Sequence, residues 1–121
     1  VTKTVLTIDD SRTMRDMLLM ALEDAGYTVI QAVDGIDGLE TLAARGADVV
    51  ITDINMPRMD GFGVIEGVRA DPNHRATPVL VLTTESDVEK KARARAAGAT
   101  GWIVKPFDPA KLVDAVRRVA A

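Results

Sequence analysis

Four places in the chain put chemically active side chains directly behind apolar, β-rich runs. Asp9-Asp10 follows Thr4 to Ile8, and Asp53 follows Asp48 to Thr52. Thr83-Thr84 closes the run that begins at Pro78, and Lys105-Pro106 closes the run that begins at Gly101. If these runs lie side by side and parallel, three carboxylates and one ammonium share a single crevice. Close carboxylates repel one another, so a cation must neutralise them or some must be protonated. An all-oxygen donor set with no His or Cys favours a hard divalent ion, Mg²⁺ or Mn²⁺. Mg²⁺ usually takes one or two carboxylates, several waters and a phosphate oxygen, so this set is incomplete without a phosphoryl group.

Taken singly, each residue has an ordinary explanation. An aspartate after a strand is commonly a helix cap, and Asp10 or Ser11 would suit the start of a first helix. Lys105 alone reads as a solvated lysine, and Thr83 as a β-former. What carries the chemical reading is their convergence, which depends on the elements that position them. Val49-Val50-Ile51 and Val79-Leu80-Val81-Leu82 lack polar alternation, as strands buried on both faces do. Met14, Met17, Leu18, Ala21, Leu22 and Ala25 keep helical spacing up to Gly26; Ile36, Leu39, Leu42 and Ala43 do so up to Gly46; Phe62, Ile65 and Val68 form a third set. Ser86-x-x-Glu89 reads as a capping box for a fourth helix ending at Gly98. Asp108-Pro109 supplies an N-cap and first-turn proline for a fifth, which carries Leu112, Val113 and Val116. Five strands alternating with five helices predict an α/β fold with a parallel sheet covered on both faces. In such sheets ligands sit beyond the carboxyl ends of the strands, where these residues lie.

Composition narrows the function classes. The 121 residues suit one domain, 1–121, and are 47% hydrophobic and 27% charged. No apolar run reaches the length of a membrane span, so no membrane insertion is expected, and no signal-peptide pattern is present. Cysteine is absent and His74 is the only histidine, which closes off thiol chemistry and histidine metal clusters. A cytoplasmic location follows as the expectation. Residues 1–87 carry a balance of −8, whereas residues 88–121 carry +5. The basic third reads either as solvated helix faces or as a surface steering toward an acidic partner. Direct nucleic-acid binding is not expected, because the chain is acidic overall and no aromatics interleave with the basic residues.

The segments LTIDDSRTMR, ITDINMPRMDGF, VLTTES and GWIVKPF together resemble the receiver domain of two-component response regulators, above all the stand-alone chemotaxis regulators of that family. The resemblance covers essentially the whole chain. It implies a flavodoxin-like sheet of strand order 2-1-3-4-5. It makes Asp53 the phosphoacceptor, attacking a phosphohistidine of a histidine kinase or its phosphotransfer domain. Asp9, Asp10, Asp53 and the backbone carbonyl of Asn55 would hold Mg²⁺, with Mn²⁺ as the alternative. Lys105 and Thr83 would contact phosphoryl oxygens, and a cis bond before Pro106 would aim Lys105 inward. Met56-Pro57 and Asp60-Gly61 would shape the intervening loop.

The resemblance also implies a switch made of Thr83 and Trp102, the latter in place of the usual Tyr or Phe. Asn55 and Glu85 would tune dephosphorylation from the crevice mouth. The output face would comprise helix four, strand five and helix five, with Lys90, Lys91, Arg93, Arg95, Lys111, Arg117 and Arg118 as candidates. The flagellar motor switch is the partner expected there, and a monomer the expected state. Catalysis would be limited to the protein's own phosphorylation and dephosphorylation, so it is not expected to be an enzyme. The alternatives are a phosphorelay intermediate or phosphate sink, and a receiver excised from a larger DNA-binding regulator. An Mg²⁺-dependent phosphatase would want an acid where Asn55 stands, and a nucleotide or flavin module would want a Gly-rich loop after strand one. The Met14, Met17 and Met20 set is expected to pack into the core.

Overall fold

The computed structural model describes residues 2–120; Val1 and Ala121, the ends of the expected 1–121 domain, lie outside the described residues. Strands and helices alternate along the chain: β1 (Thr4–Ile8), α1 (Arg12–Asp24), β2 (Thr28–Ala32), α2 (Gly35–Arg45), β3 (Val49–Thr52), α3 (Gly61–Ala70), β4 (Val79–Thr83), α4 (Val88–Ala97), β5 (Gly101–Val104) and α5 (Pro109–Ala120). All four strand pairings are parallel, in the order β2-β1-β3-β4-β5. This is the flavodoxin-like architecture the sequence led us to expect.

Strand periodicity divides the core into two layers. Leu6, Ile8, Val50, Val79 and Val81 point to one face of the sheet, under Leu42, Phe62, Ile65 and Val68 of α2 and α3 and Ala94 of α4. Val5, Val49, Ile51, Leu80 and Leu82 point to the other, under Leu18 and Leu22 of α1 and Leu112 and Val116 of α5. Every residue of β3 and β4 is buried. Each such Val, Leu or Ile contributes about 1.5–3 kcal/mol relative to exposure, which fixes the central strands and hence their carboxyl ends.

Two local expectations are corrected. Helix α4 is capped by Asp87, not by Ser86: the Asp87 carboxylate accepts from the N–H groups of Glu89 (2.7 Å) and Lys90 (3.3 Å). Both residue types cap well, and their adjacency left the phase of the helix undetermined by local sequence. Of the α1 methionines only Met14 packs against the core; Met17 and Met20 are 45% and 68% exposed. The buried stripe of α1 is Leu18 and Leu22, and the two methionines lie off it.

Candidate functional site

The residues singled out by type meet just past the strand ends, where the sheet ladder runs on for one more bond. The N–H of Asp53 donates to the carbonyl of Ile8 (3.1 Å), that of Asp9 to Ala32 (3.2 Å), and that of Lys105 to Thr83 (2.8 Å). Backbone hydrogen bonds therefore set the heights of the functional side chains. Asp9 is buried and Asp53 half-buried, while Asp10 stands exposed at the rim. One carboxylate oxygen from each of Asp9, Asp10 and Asp53 lies within 4.8 Å of the others.

Lys105 is the counter-charge. Its Nζ donates to Asp9 Oδ2 at 2.8 Å and to Asp53 Oδ2 at 3.0 Å. Burial alone pushes the Lys105 ammonium down, but the hydrogen bonds and charges of Asp9 and Asp53 outweigh it and hold it above the usual lysine value. The second oxygens of Asp9 and Asp53 are also engaged: Asp9 Oδ1 accepts from the N–H of Ser11 (2.9 Å), and Asp53 Oδ1 from the N–H of Ile54 (2.6 Å). Ser11 is at the same time the N-cap of α1 and accepts from Met14. Arg15 grips the carbonyl of Asp9 at 2.7 Å. One ammonium against three carboxylates leaves an excess of two negative charges, and all donors are oxygens. That donor set fits a hard divalent cation.

The loop from β3 to α3 returns closely upon Asp53. The N–H of Gly61 donates to Ile54 (2.9 Å), and Asp60 caps α3 through Gly63 (3.0 Å). A Cβ at position 61 would overlap the carbonyl oxygen of Asp53. Asn55 is exposed beside the crevice. The peptide bond between Lys105 and Pro106 is cis.

Thr83 is fully buried, and its Oγ1 accepts from the N–H of Glu85 at 3.2 Å. The carbonyl of Glu85 in turn accepts from the Trp102 indole at 3.1 Å. Trp102 is half-buried and packs against the core layer of α2, α3 and α4, while Thr84 is exposed. The basic residues of the last third do not share one direction. Lys90 pairs with Glu85, Arg93 lies 3.9 Å over the ring of Phe62, and Arg117 approaches Asp114 at 3.9 Å. Lys91 and Arg95 border a recess that reaches Trp102, whereas Lys111 and Arg118 flank another on α5.

Three structural residues escaped sequence reasoning. Asp34 stands in an Asp34-Gly35 pair of the kind that marks turns, yet it is buried and caps α2 through the N–H of Asp37 (2.9 Å). Arg58 clasps it with two bonds, Nε to Oδ2 at 2.7 Å and Nη2 to Oδ1 at 3.0 Å, from a backbone at φ 66°. This pair ties the β3–α3 loop to α2. Arg69 donates to the carbonyls of Gly98, Arg75 and Thr77, joining α3 to the end of α4, and burial pushes its guanidinium pKa down. A side chain reaching 24 or 29 positions along the chain has no local signal. The left-handed backbone at Arg58 was not legible either, since bulky residues rarely adopt it.

Comparison with known proteins agrees with this geometry. The response regulator receiver domain model matches residues 5–117. Chemotaxis protein CheY-3 of Vibrio cholerae is 38% identical over 116 residues, covering 95% of this chain and 89% of that protein. The DNA-binding dual master transcriptional regulator RpaA of Synechocystis is 36% identical over 113 residues, and there the match spans 93% of this chain but only 47% of the relative. Among solved structures, chemotaxis protein CheY4 of Vibrio cholerae superposes with a TM-score of 0.94 at 44% identity, covering 98% of this chain and 99% of that one. A putative response regulator from Chloroflexus aurantiacus gives 0.94 at 33% identity, covering 99% and 98%. The chain belongs to the response regulator receiver domain family.

Proposed function

We propose that this receiver is the phosphorylation-controlled relay of a chemotaxis-type signalling system, resident in the cytoplasm and monomeric. The observation that carries the reading is the bridge from Lys105 Nζ to Asp9 and Asp53 inside a cluster of three carboxylates. An Asp53 oxygen attacks the phosphorus of a phosphohistidine on a histidine kinase or its phosphotransfer domain. A P–O bond forms as the P–N bond breaks, and the imidazole leaves with its electron pair. Water later attacks the acyl phosphate and releases inorganic phosphate, restoring the carboxylate. These self-directed steps are the whole of the chemistry, so the protein is not an enzyme acting on a separate substrate pool.

Asp9, Asp10, Asp53 and the Asn55 carbonyl would hold Mg²⁺, or Mn²⁺ in its place. When bound, such an ion supplies electrostatic stabilisation of the phosphoryl oxygens during transfer. Lys105 offers a charge-assisted donor to one phosphoryl oxygen. The Thr83 hydroxyl, which uses a lone pair on Glu85, keeps its proton for another. Asn55 and Glu85, at the mouth, govern how water reaches the acyl phosphate. Movement of Thr83 is passed to Trp102 and so to the α4–β5–α5 face, which binds the flagellar motor switch.

Intact-mass measurement on acid-quenched protein after incubation with acetyl phosphate and Mg²⁺ tests this reading. One phosphoryl group is expected, absent with chelator and absent in Asp53→Ala. No label on folded, Mg²⁺-loaded native protein overturns it. A second reading, a receiver that drives a DNA-binding output, is favoured by one observation: RpaA, at 36% identity, matches over less than half its length.

A further inference from the structure

Glu85 is held on three sides by three different elements. Its N–H meets Thr83 Oγ1 at 3.2 Å, its carbonyl meets Trp102 Nε1 at 3.1 Å, and its carboxylate Oε2 meets Lys90 Nζ at 3.0 Å. The first two bonds fix the backbone, so only the side-chain torsions decide where the carboxylate goes. Lys90 decides them. It lies in the first turn of α4, with its N–H 3.3 Å from the Asp87 cap, and its side chain is 43% exposed against 29% for Glu85. The crevice ammonium, Lys105, is committed to Asp9 and Asp53.

Resting on the phosphoacceptor role of Asp53, we propose that Lys90 is a positioning residue for the crevice. It draws the Glu85 carboxylate toward α4 and neutralises it, keeping an uncompensated negative charge off the path of anionic phosphodonors. The arrangement belongs to the mouth of the site, not to its floor. With a divalent ion bound, the charges of Asp9, Asp10, Asp53 and Lys105 are balanced, so a free carboxylate at the entrance would be the uncompensated charge that repels a dianionic donor. An ion pair this exposed adds little to stability. Its effect lies in the charge presented to an incoming anion.

The test is a double-mutant cycle on the rate of labelling by acetyl phosphate, using native protein, Lys90→Met, Glu85→Gln and the double variant. With low salt and saturating Mg²⁺, Lys90→Met is expected to slow labelling about threefold or more, and the deficit to shrink as salt rises. In the Glu85→Gln background the same Lys90→Met change is expected to have no effect, and Lys90→Arg to restore the native rate. Equal slowing in both backgrounds overturns the proposal, because Lys90 would then act as a free positive charge. So does an unchanged rate in Lys90→Met with native far-ultraviolet circular dichroism. Failure of native protein itself to label is a different result: it removes the phosphoacceptor reading and this inference with it.

Discussion

The indole Nε1 of Trp102 donates to the carbonyl of Glu85 at 3.1 Å, tying β5 to the loop that follows Thr83. Because the Glu85 N–H also leans on Thr83 Oγ1, one residue joins the floor of the crevice to the aromatic on the outer strand. A hydroxyl that turns toward a phosphoryl oxygen alters the first bond and strains the second. The ring is only half-buried, so it has room to answer. Two discrete arrangements of such an element are what a switch requires.

Trp102 is the sole tryptophan, so its emission reports this linkage without labelling. Phosphorylation of Asp53 is expected to change the emission, and Thr83→Ala is expected to keep phosphorylation while losing most of the change. Trp102→Phe, which removes one partly exposed donor, is expected to cost about 1 kcal/mol in urea denaturation. An emission change that survives in Thr83→Ala would show that the signal bypasses the hydroxyl.

Lys105→Met separates metal binding from phosphoryl transfer. Removing the ammonium leaves three carboxylates with no counter-charge, so divalent affinity is expected to rise by about tenfold, or 1.4 kcal/mol. Labelling at Asp53 is expected to fall by at least tenfold, since the donor to the phosphoryl oxygen is gone. Titration calorimetry with Mg²⁺ and intact-mass kinetics read the two effects independently. Weaker Mg²⁺ binding would show that Lys105 organises the carboxylates more than it competes with the metal.

Gly61→Ala tests how closely the β3–α3 loop must approach Asp53. The new Cβ would overlap the Asp53 carbonyl and crowd Ile54, neither of which can turn away as a side-chain tip could. The loop must open, at a cost of about 1–3 kcal/mol. Reduced urea midpoints together with weaker Mg²⁺ binding are the expected outcome. Loss of stability with native Mg²⁺ affinity would mean that the carboxylates do not follow the loop.

What was legible in the sequence divides along a physical line. Val49 to Ile51 and Val79 to Leu82 announce central strands because burial on both faces removes polar alternation. Asp9, Asp53, Thr83 and Lys105 could be placed because a parallel sheet brings its strand ends together, whatever the details of packing. Illegible were the contacts between side chains far apart in sequence. Asp34 reads locally as a turn residue and gains its meaning only from Arg58, 24 positions on. Met17 fits the helical period as well as Leu18 does, and only the docked position of α1 exposes it. The choice between Ser86 and Asp87 as the cap was likewise settled by where α4 packs.

Asp34 provides the pH test. The bidentate hydrogen bonds from Arg58, followed by the N–H of Asp37, hold its carboxyl below the usual range. The folded state therefore binds fewer protons at this site than the unfolded chain, and stability rises with pH across the interval between the two pKa values. The contribution is complete above the ordinary carboxyl pKa and is lost as pH falls through the lowered folded value. Asp34→Asn is accordingly expected to destabilise the protein at neutral pH, and its deficit to close on acidification. Urea midpoints of both proteins across that range measure the gap, and added salt should narrow it at neutral pH because Arg58 is half-exposed. A gap that stays constant into acid would mean that Asp34 acts through shape and capping geometry rather than through its charge.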